Sequence, residues 1–278
     1  MKRWLVLVLV LCFTGVVSIL VILPKLSTPT PRAMWLWNWD NNDEVLSFAD
    51  ASQTRVTDIF VYAKPGFSKN PEKLTDLVTK GQAQGINMIA MAGDPAWVTG
   101  PGQQDAINWV NEVKNSKIGF TGLHLELEPH LNAAYETQKA LVMDQYVQLL
   151  TKIKVSANPL PVELSVPWWY YQIGTINSNV AQDAINQVDS VTIVTFATSY
   201  DEINKEAQIE AEYAVTKHKP FRFASETNNV QPPNITFYGS TNSHMLQVQD
   251  EVNASWQEKP NFTGFAIEEY QGWKALPT

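Results

Sequence analysis

Eight short apolar runs separated by helical patterns recur through most of this 278-residue chain, and that alternation limits its fold more than any other feature. The runs lie at 33–39 (AMWLWNW), 58–63 (DIFVYA), 86–93 (INMIAMAG), 122–129 (GLHLELEP), 161–169 (PVELSVPWW), 191–198 (VTIVTFAT), 221–228 (FRFASETN) and 263–270 (TGFAIEEY). Between them, Asn70 and Pro71 open a helical pattern that stops at Gly85. Residues 133–157 space Leu141, Tyr146, Leu149 and Ile153 at helical intervals. Residues 201–219 place acids early and bases late, as the helix dipole favours. Strand–helix alternation of this kind predicts an α/β protein with one parallel (β/α)8 TIM barrel over 33–278. An open doubly wound sheet is the competing arrangement. It often carries a Gly-rich phosphate loop, and the glycines of 93–102 (GDPAWVTGPG) lack the strand–GxGxxG–helix context.

The N-terminus is a separate unit. Lys2 and Arg3 precede an uncharged apolar run from Trp4 to Leu23, about the 20 residues needed to cross a bilayer core. No small-x-small cleavage site follows it. Residues 1–23 are therefore expected to form an uncleaved transmembrane helix, with Lys2 and Arg3 inside and the barrel outside the cytoplasm. Cleavage would release the same domain as a secreted protein. Residues 24–32, with Pro24, Pro29 and Pro31, read as a linker. The single cysteine, Cys12, lies in the anchor, so thiol catalysis and disulfides are not expected in the barrel. A net charge of −8 argues against a nucleic-acid partner.

The fourth run poses the functional question. In FTGLHLELEPH, Phe120–His130, the residues His124, Glu126 and Glu128 fall on one side of an extended chain, and Leu123, Leu125 and Leu127 on the other. An antiparallel strand could turn the polar side to water. A parallel barrel instead packs the leucines under helices and points the ionisable side inward, which is tolerable near the C-terminal mouth where barrel active sites lie. Residues near the strand ends repeat a chemical theme there: Trp37 and Trp39, Asp94 and Trp97, Trp168, Tyr200, Glu226 and Asn228, Glu268, Tyr270 and Trp273. Aromatic faces stack on the apolar faces of sugar rings, while carboxylates and amides bind hydroxyls. Glycosidic cleavage needs one carboxyl as proton donor and a second group for the positive sugar carbon. Glu128 is the expected general acid/base, and Glu126, two residues back on the same face, is the like-charged neighbour expected to keep a proton available on it. His124, Asp94, Asn228, Glu268, Tyr200, Tyr270 and the tryptophans Trp37, Trp39, Trp97, Trp168 and Trp273 are expected at the carbohydrate.

FTGLHLELEP resembles the fourth-strand motif of chitinase-like barrel glycosidases, which runs Phe–Asp–Gly–x–Asp–x–Asp–x–Glu. Phe120, Gly122 and Glu128 match it, Glu126 stands at the last Asp position, and Thr121 and His124 depart from it. That resemblance implies a proton donor at Glu128 and an acid at Glu126 that orients an N-acetyl group acting as nucleophile. LEP at 127–129 and SETN at 225–228 are similar instead to the retaining barrel clan, whose acids end strands four and seven; this implies Glu128 as acid/base and Glu226 as nucleophile. The stretches MWLW, GDPAW, HLELEPH, SETN and FAIEEYQGWKAL together resemble a group of bacterial (β/α)8-barrel proteins that are themselves similar to glycoside hydrolases. Two rival functions remain. One is a non-catalytic glycan-binding barrel at the cell surface. The other is a metal-dependent hydrolase using His124, Glu126, Glu128 and Asp94, although no His-x-His or His-Glu-x-x-His spacing is present. No cofactor or metal is expected.

Overall fold

The computed structural model describes residues 30–175 and 178–278, together with Cys12–Phe13 and Val16–Val17, which pair as two short antiparallel strands. The rest of the expected membrane helix over Trp4–Leu23 lies outside the described residues. Among the described residues, no helix is long and apolar enough to cross a membrane.

All eight expected strands form. They are β1 (Arg32–Leu36), β2 (Val56–Tyr62), β3 (Asn87–Ala92), β4 (Gly122–Leu125), β5 (Val162–Pro167), β6 (Ser190–Val194), β7 (Phe221–Glu226) and β8 (Phe262–Glu268). Each pairs in parallel with the next, and β8 closes on β1, so the sheet is a barrel and not an open doubly wound sheet. The intervening helices are α1 (Asn42–Asp50), α2 (Glu72–Ala83), α3 (Gly102–Asn115), α4 (Tyr135–Ala157), α5 (Val180–Gln187), α6 (Tyr200–Thr216), α7 (Asn242–Trp256) and α8 (Tyr270–Ala275). Polar caps define several starts: Asn41 accepts from the Asp43 amide at 2.9 Å, and Asn179 from that of Gln182 at 3.0 Å. Gly85 ends α2 as expected, at φ 79°, where an L side chain would be strained. On α4, Tyr146, Leu149 and Ile153 are buried, but Leu141 is exposed. It stands five residues before Tyr146 and so falls off the buried face, which Val142 and Met143 complete.

Strand parity separates two cores. Leu123, Leu125 and Leu127 join the large layer between barrel and helices. Inside the barrel, Ala33, Trp35, Phe60, Met91, Ala224 and Ala266 form a smaller apolar plug. Below the plug, near the strand starts, the Arg222 guanidinium is paired with Glu163 at 3.1 Å and with Asp58 at 3.3 Å, and it lies over the Phe60 ring at 5.5 Å. Thr192 donates to Glu163 at 2.6 Å. These charges are almost fully enclosed, so each depends on the other for its compensation. Replacing Arg222 alone by Met strands the buried Glu163 and removes the cation from the partly buried Asp58. The expected loss is about 3–5 kcal/mol in denaturant unfolding, and adding Glu163→Gln and Asp58→Asn to Arg222→Met should recover much of it.

Candidate active site

The site begins where β4 ends. The Glu126 amide donates to the Ala92 carbonyl at 3.1 Å, which carries the β3–β4 pairing one residue past the strand. The contact is so close that a Cβ on Gly93 would lie 1.8 Å from the Glu126 carbonyl oxygen; only glycine fits there. Pro129 then starts a short 3-10 turn, Pro129–Leu131. His124, Glu126 and Glu128 alternate along this segment on the barrel-facing side, as the sequence predicts.

The three side chains have different surroundings. His124 is fully buried and stacks on Phe60 with ring centroids 3.7 Å apart. Its Nε2 lies 2.7 Å from Glu126 Oε1 and 3.1 Å from Ser165 Oγ. Trp35 Nε1 and Ser165 Oγ each donate to the same Glu126 oxygen at 2.6 Å. One oxygen of Glu126 is thus fixed by three neighbours. The fixing group His124 lies beneath the carboxylate and does not line the cavity, so it is not placed to touch a sugar. Glu128 is half exposed at the rim. Partial burial and the nearby charge of Glu126 push its carboxyl above the ordinary carboxylate range.

A cavity of about 220 Å³ opens at the mouth. Its walls are Trp35, Trp37, Pro95, Pro167, Val194 and Phe196, with Gly93, Leu127 and Ser165 completing the lining, and the carboxyls of Glu126, Glu128, Glu226 and Glu268 converge on it. No lysine or arginine lines it among the described residues. Trp37 Nε1 donates to Glu268 at 2.6 Å. Burial first, then the charges of Glu126 and Glu226, hold the Glu268 carboxyl well above its usual range. Glu226 Oε1 accepts from the Thr227 and Asn228 amides at 2.7 and 2.6 Å and from Asn228 Nδ2 at 2.9 Å. Burial raises its carboxyl, and these donors oppose the rise. Asn228 therefore orients Glu226 from outside the cavity lining.

Seven other expected contacts are placed elsewhere. Asp94 caps the turn Pro95–Val98, accepting from the Ala96 amide at 2.8 Å. Trp97 is buried against Trp109, with centroids 5.8 Å apart, in the layer between barrel and helices. Trp39 sits between α1 and α2, donating to Asn42 at 2.6 Å beneath Lys73. Trp168 is half-buried on the turn after β5 and tilts against Tyr171. Tyr200 is exposed, its hydroxyl 2.7 Å from Ser255, linking α6 to α7. Tyr270 and Trp273 lie buried on α8 against Phe48 of α1. The sequence reading passed over Trp35, Ser165, Val194 and Phe196. The signal was the same parity: Trp35 shares a face with Trp37, Ser165 with Glu163, and Phe196 continues the file of Thr192 and Val194. Among the described residues, no group of three or more His, Cys, Asp or Glu side chains is placed to hold a metal ion.

No family model matches the sequence, and neither does any curated protein. Solved structures do match the fold. A chitinase from Rhizomucor miehei aligns at TM-score 0.58 and 11% identity, over 87% of this chain and 95% of its own. An endo-beta-N-acetylglucosaminidase from Cordyceps militaris aligns at 0.54 and 16%, over 86% and 80%. The spore cortex-lytic enzyme of Bacillus megaterium aligns at 0.56 and 10%, over 91% and 75%. At these identities the likeness establishes a shared (β/α)8 barrel.

Proposed function

We propose that this barrel is a glycoside hydrolase that cleaves a carbohydrate at its C-terminal mouth. One observation carries the reading: Glu126 and Glu128, two residues apart, open on a single cavity walled by Trp35 and Trp37. The fold neighbours named as chitinase and endo-beta-N-acetylglucosaminidase support acetamido sugars as the substrate class. In this reading a sugar ring stacks on the tryptophans, and Glu128 gives its proton to the leaving glycosidic oxygen. Glu126, fixed on one oxygen by Trp35, Ser165 and His124, presents the other to the 2-acetamido group, whose carbonyl attacks the sugar carbon. Such fixing matters because a carboxylate that need not reorient stabilises developing charge without reorganisation.

A second reading makes Glu226 the nucleophile. It shares the cavity, and it too has one oxygen held by three donors, leaving the other free. We further propose that the apolar run Trp4–Leu23 holds the barrel outside the cytoplasmic membrane, facing extracellular glycan.

With the purified full-length chain and labelled oligosaccharides, Glu128→Gln should lower kcat by about 10²–10⁴-fold with an unchanged circular dichroism spectrum. Binding without turnover by the unaltered protein would favour a non-catalytic glycan-binding barrel. On acetamido sugars, Glu126→Gln should abolish activity while Glu226→Gln retains a good fraction; the reverse ranking would establish the second reading. The pH profile follows from the raised Glu128 carboxyl. The acid must be protonated to act, so kcat/KM should hold past the ordinary carboxylate range and fall only as pH rises through the elevated value. Protease added to intact cells should degrade the barrel; protection until lysis would contradict the placement.

A further inference from the structure

His130 lies on the 3-10 turn just past Glu128, and the cleavage scheme above gives it no part. Its two ring nitrogens face different partners. Nδ1 is 2.7 Å from the hydroxyl of the buried Tyr170, and Nε2 is 3.8 Å from Glu128 Oε1. The ring is set edge-on against Trp169 and Tyr170, at centroid distances of 5.2 and 5.9 Å, so its orientation is constrained. Among the described residues Nδ1 is the one acceptor within hydrogen-bond distance of that hydroxyl, so the phenolic proton goes to it. A neutral imidazole that accepts at Nδ1 carries its proton on Nε2, the nitrogen 3.8 Å from Glu128 Oε1, too far for a hydrogen bond but close enough for its dipole to act on the carboxylate.

We propose that His130, set by Tyr170, is a positioning residue that governs when Glu128 holds its proton. A donor turned toward a carboxylate favours its ionised form. His130 therefore opposes the two influences that favour the protonated form of Glu128, its partial burial first and then the Glu126 charge beside it; Glu226 and Glu268 open on the same cavity. Burial first, and then Tyr146, Glu128 and Tyr135 nearby, keep the Tyr170 phenol in its protonated, donating form. Burial also lowers His130 itself, in keeping with a neutral ring. The consequence for catalysis is a base at Glu128 once its proton has left, ready to activate the incoming water. That consequence rests on the glycosidase reading; the protonation effect does not.

The test is the titration of Glu128 in the full-length chain, followed by carboxyl-13C NMR and assigned with Glu128→Gln. His130→Leu should raise the Glu128 midpoint by roughly half to one pH unit, and His130→Gln, which keeps an N–H donor, should return it toward the wild-type value. Imidazole 15N shifts should show the Nε2-protonated neutral tautomer in wild type. Tyr170→Phe, which preserves the ring packing, should erode that tautomer and move Glu128 in the same direction as His130→Leu. A Glu128 midpoint unmoved or lowered in His130→Leu, or an Nδ1-protonated ring in wild type, would overturn the proposal. Because the readout is a titration, it stands or falls independently of turnover: an inactive protein with the expected shifts would sink the glycosidase reading and leave this one intact.

Discussion

Three donors converge on a single oxygen of Glu126, and the layout of the mouth follows from that convergence. Trp35 comes from β1, Ser165 from β5 and His124 from β4 itself, so the carboxylate ties three strands together across the barrel. The tie requires close backbones. Gly93 lets the end of β3 approach the Glu126 carbonyl to a distance no side chain would permit. Once Glu126 is held, alternation places Glu128 one pleat further out, at the rim.

Beneath Glu126 runs a column of polar groups along the barrel axis. His124 Nδ1 lies 3.8 Å from Glu163 Oε1, and Glu163 is paired through Arg222 to Asp58. Isolated burial of any of these charges would cost several kcal/mol. Glu163, Arg222 and Asp58 compensate one another, and Phe60 and Trp35 pack on the His124 ring. The charged cluster fills the lower barrel, and His124 is held above it by stacking on Phe60 and by its Nε2 contact with Glu126, while its Nδ1 has no hydrogen-bond partner among the described residues. The carboxyls above the cluster, Glu128, Glu226 and Glu268, are raised first by burial and then by neighbouring carboxylates, and among the described residues no lysine or arginine lines the cavity to offset this.

Much of this was legible in the order of residues. Eight runs gave eight strands, and the two-residue period of GLHLELEP sorted leucines outward and acids inward. That period works because a strand has only two faces. It also marked Trp37 and Glu268 for the cavity. The aromatic positions beyond the strands were less legible. Trp39, Trp97 and Trp168 stand on loops or 3-10 turns, where no period fixes direction, and Tyr270 and Trp273 stand on α8, whose buried face meets α1. Tyr200 begins α6 and faces α7 for the same reason. His130 was illegible because its role depends on Tyr170, which lies 40 residues away in the chain.

In the proposed glycosidase a sugar ring sits in the cavity between Trp35, Trp37 and the carboxyls of Glu126 and Glu226. The most direct measurement is a crystal structure of the Glu128→Gln protein soaked with an acetamido oligosaccharide at saturating concentration. The expected result is a ring stacked on tryptophan in that cavity, with its 2-acetamido group within hydrogen-bond reach of Glu126. An empty cavity, or sugar bound only on the outer helices, would contradict it.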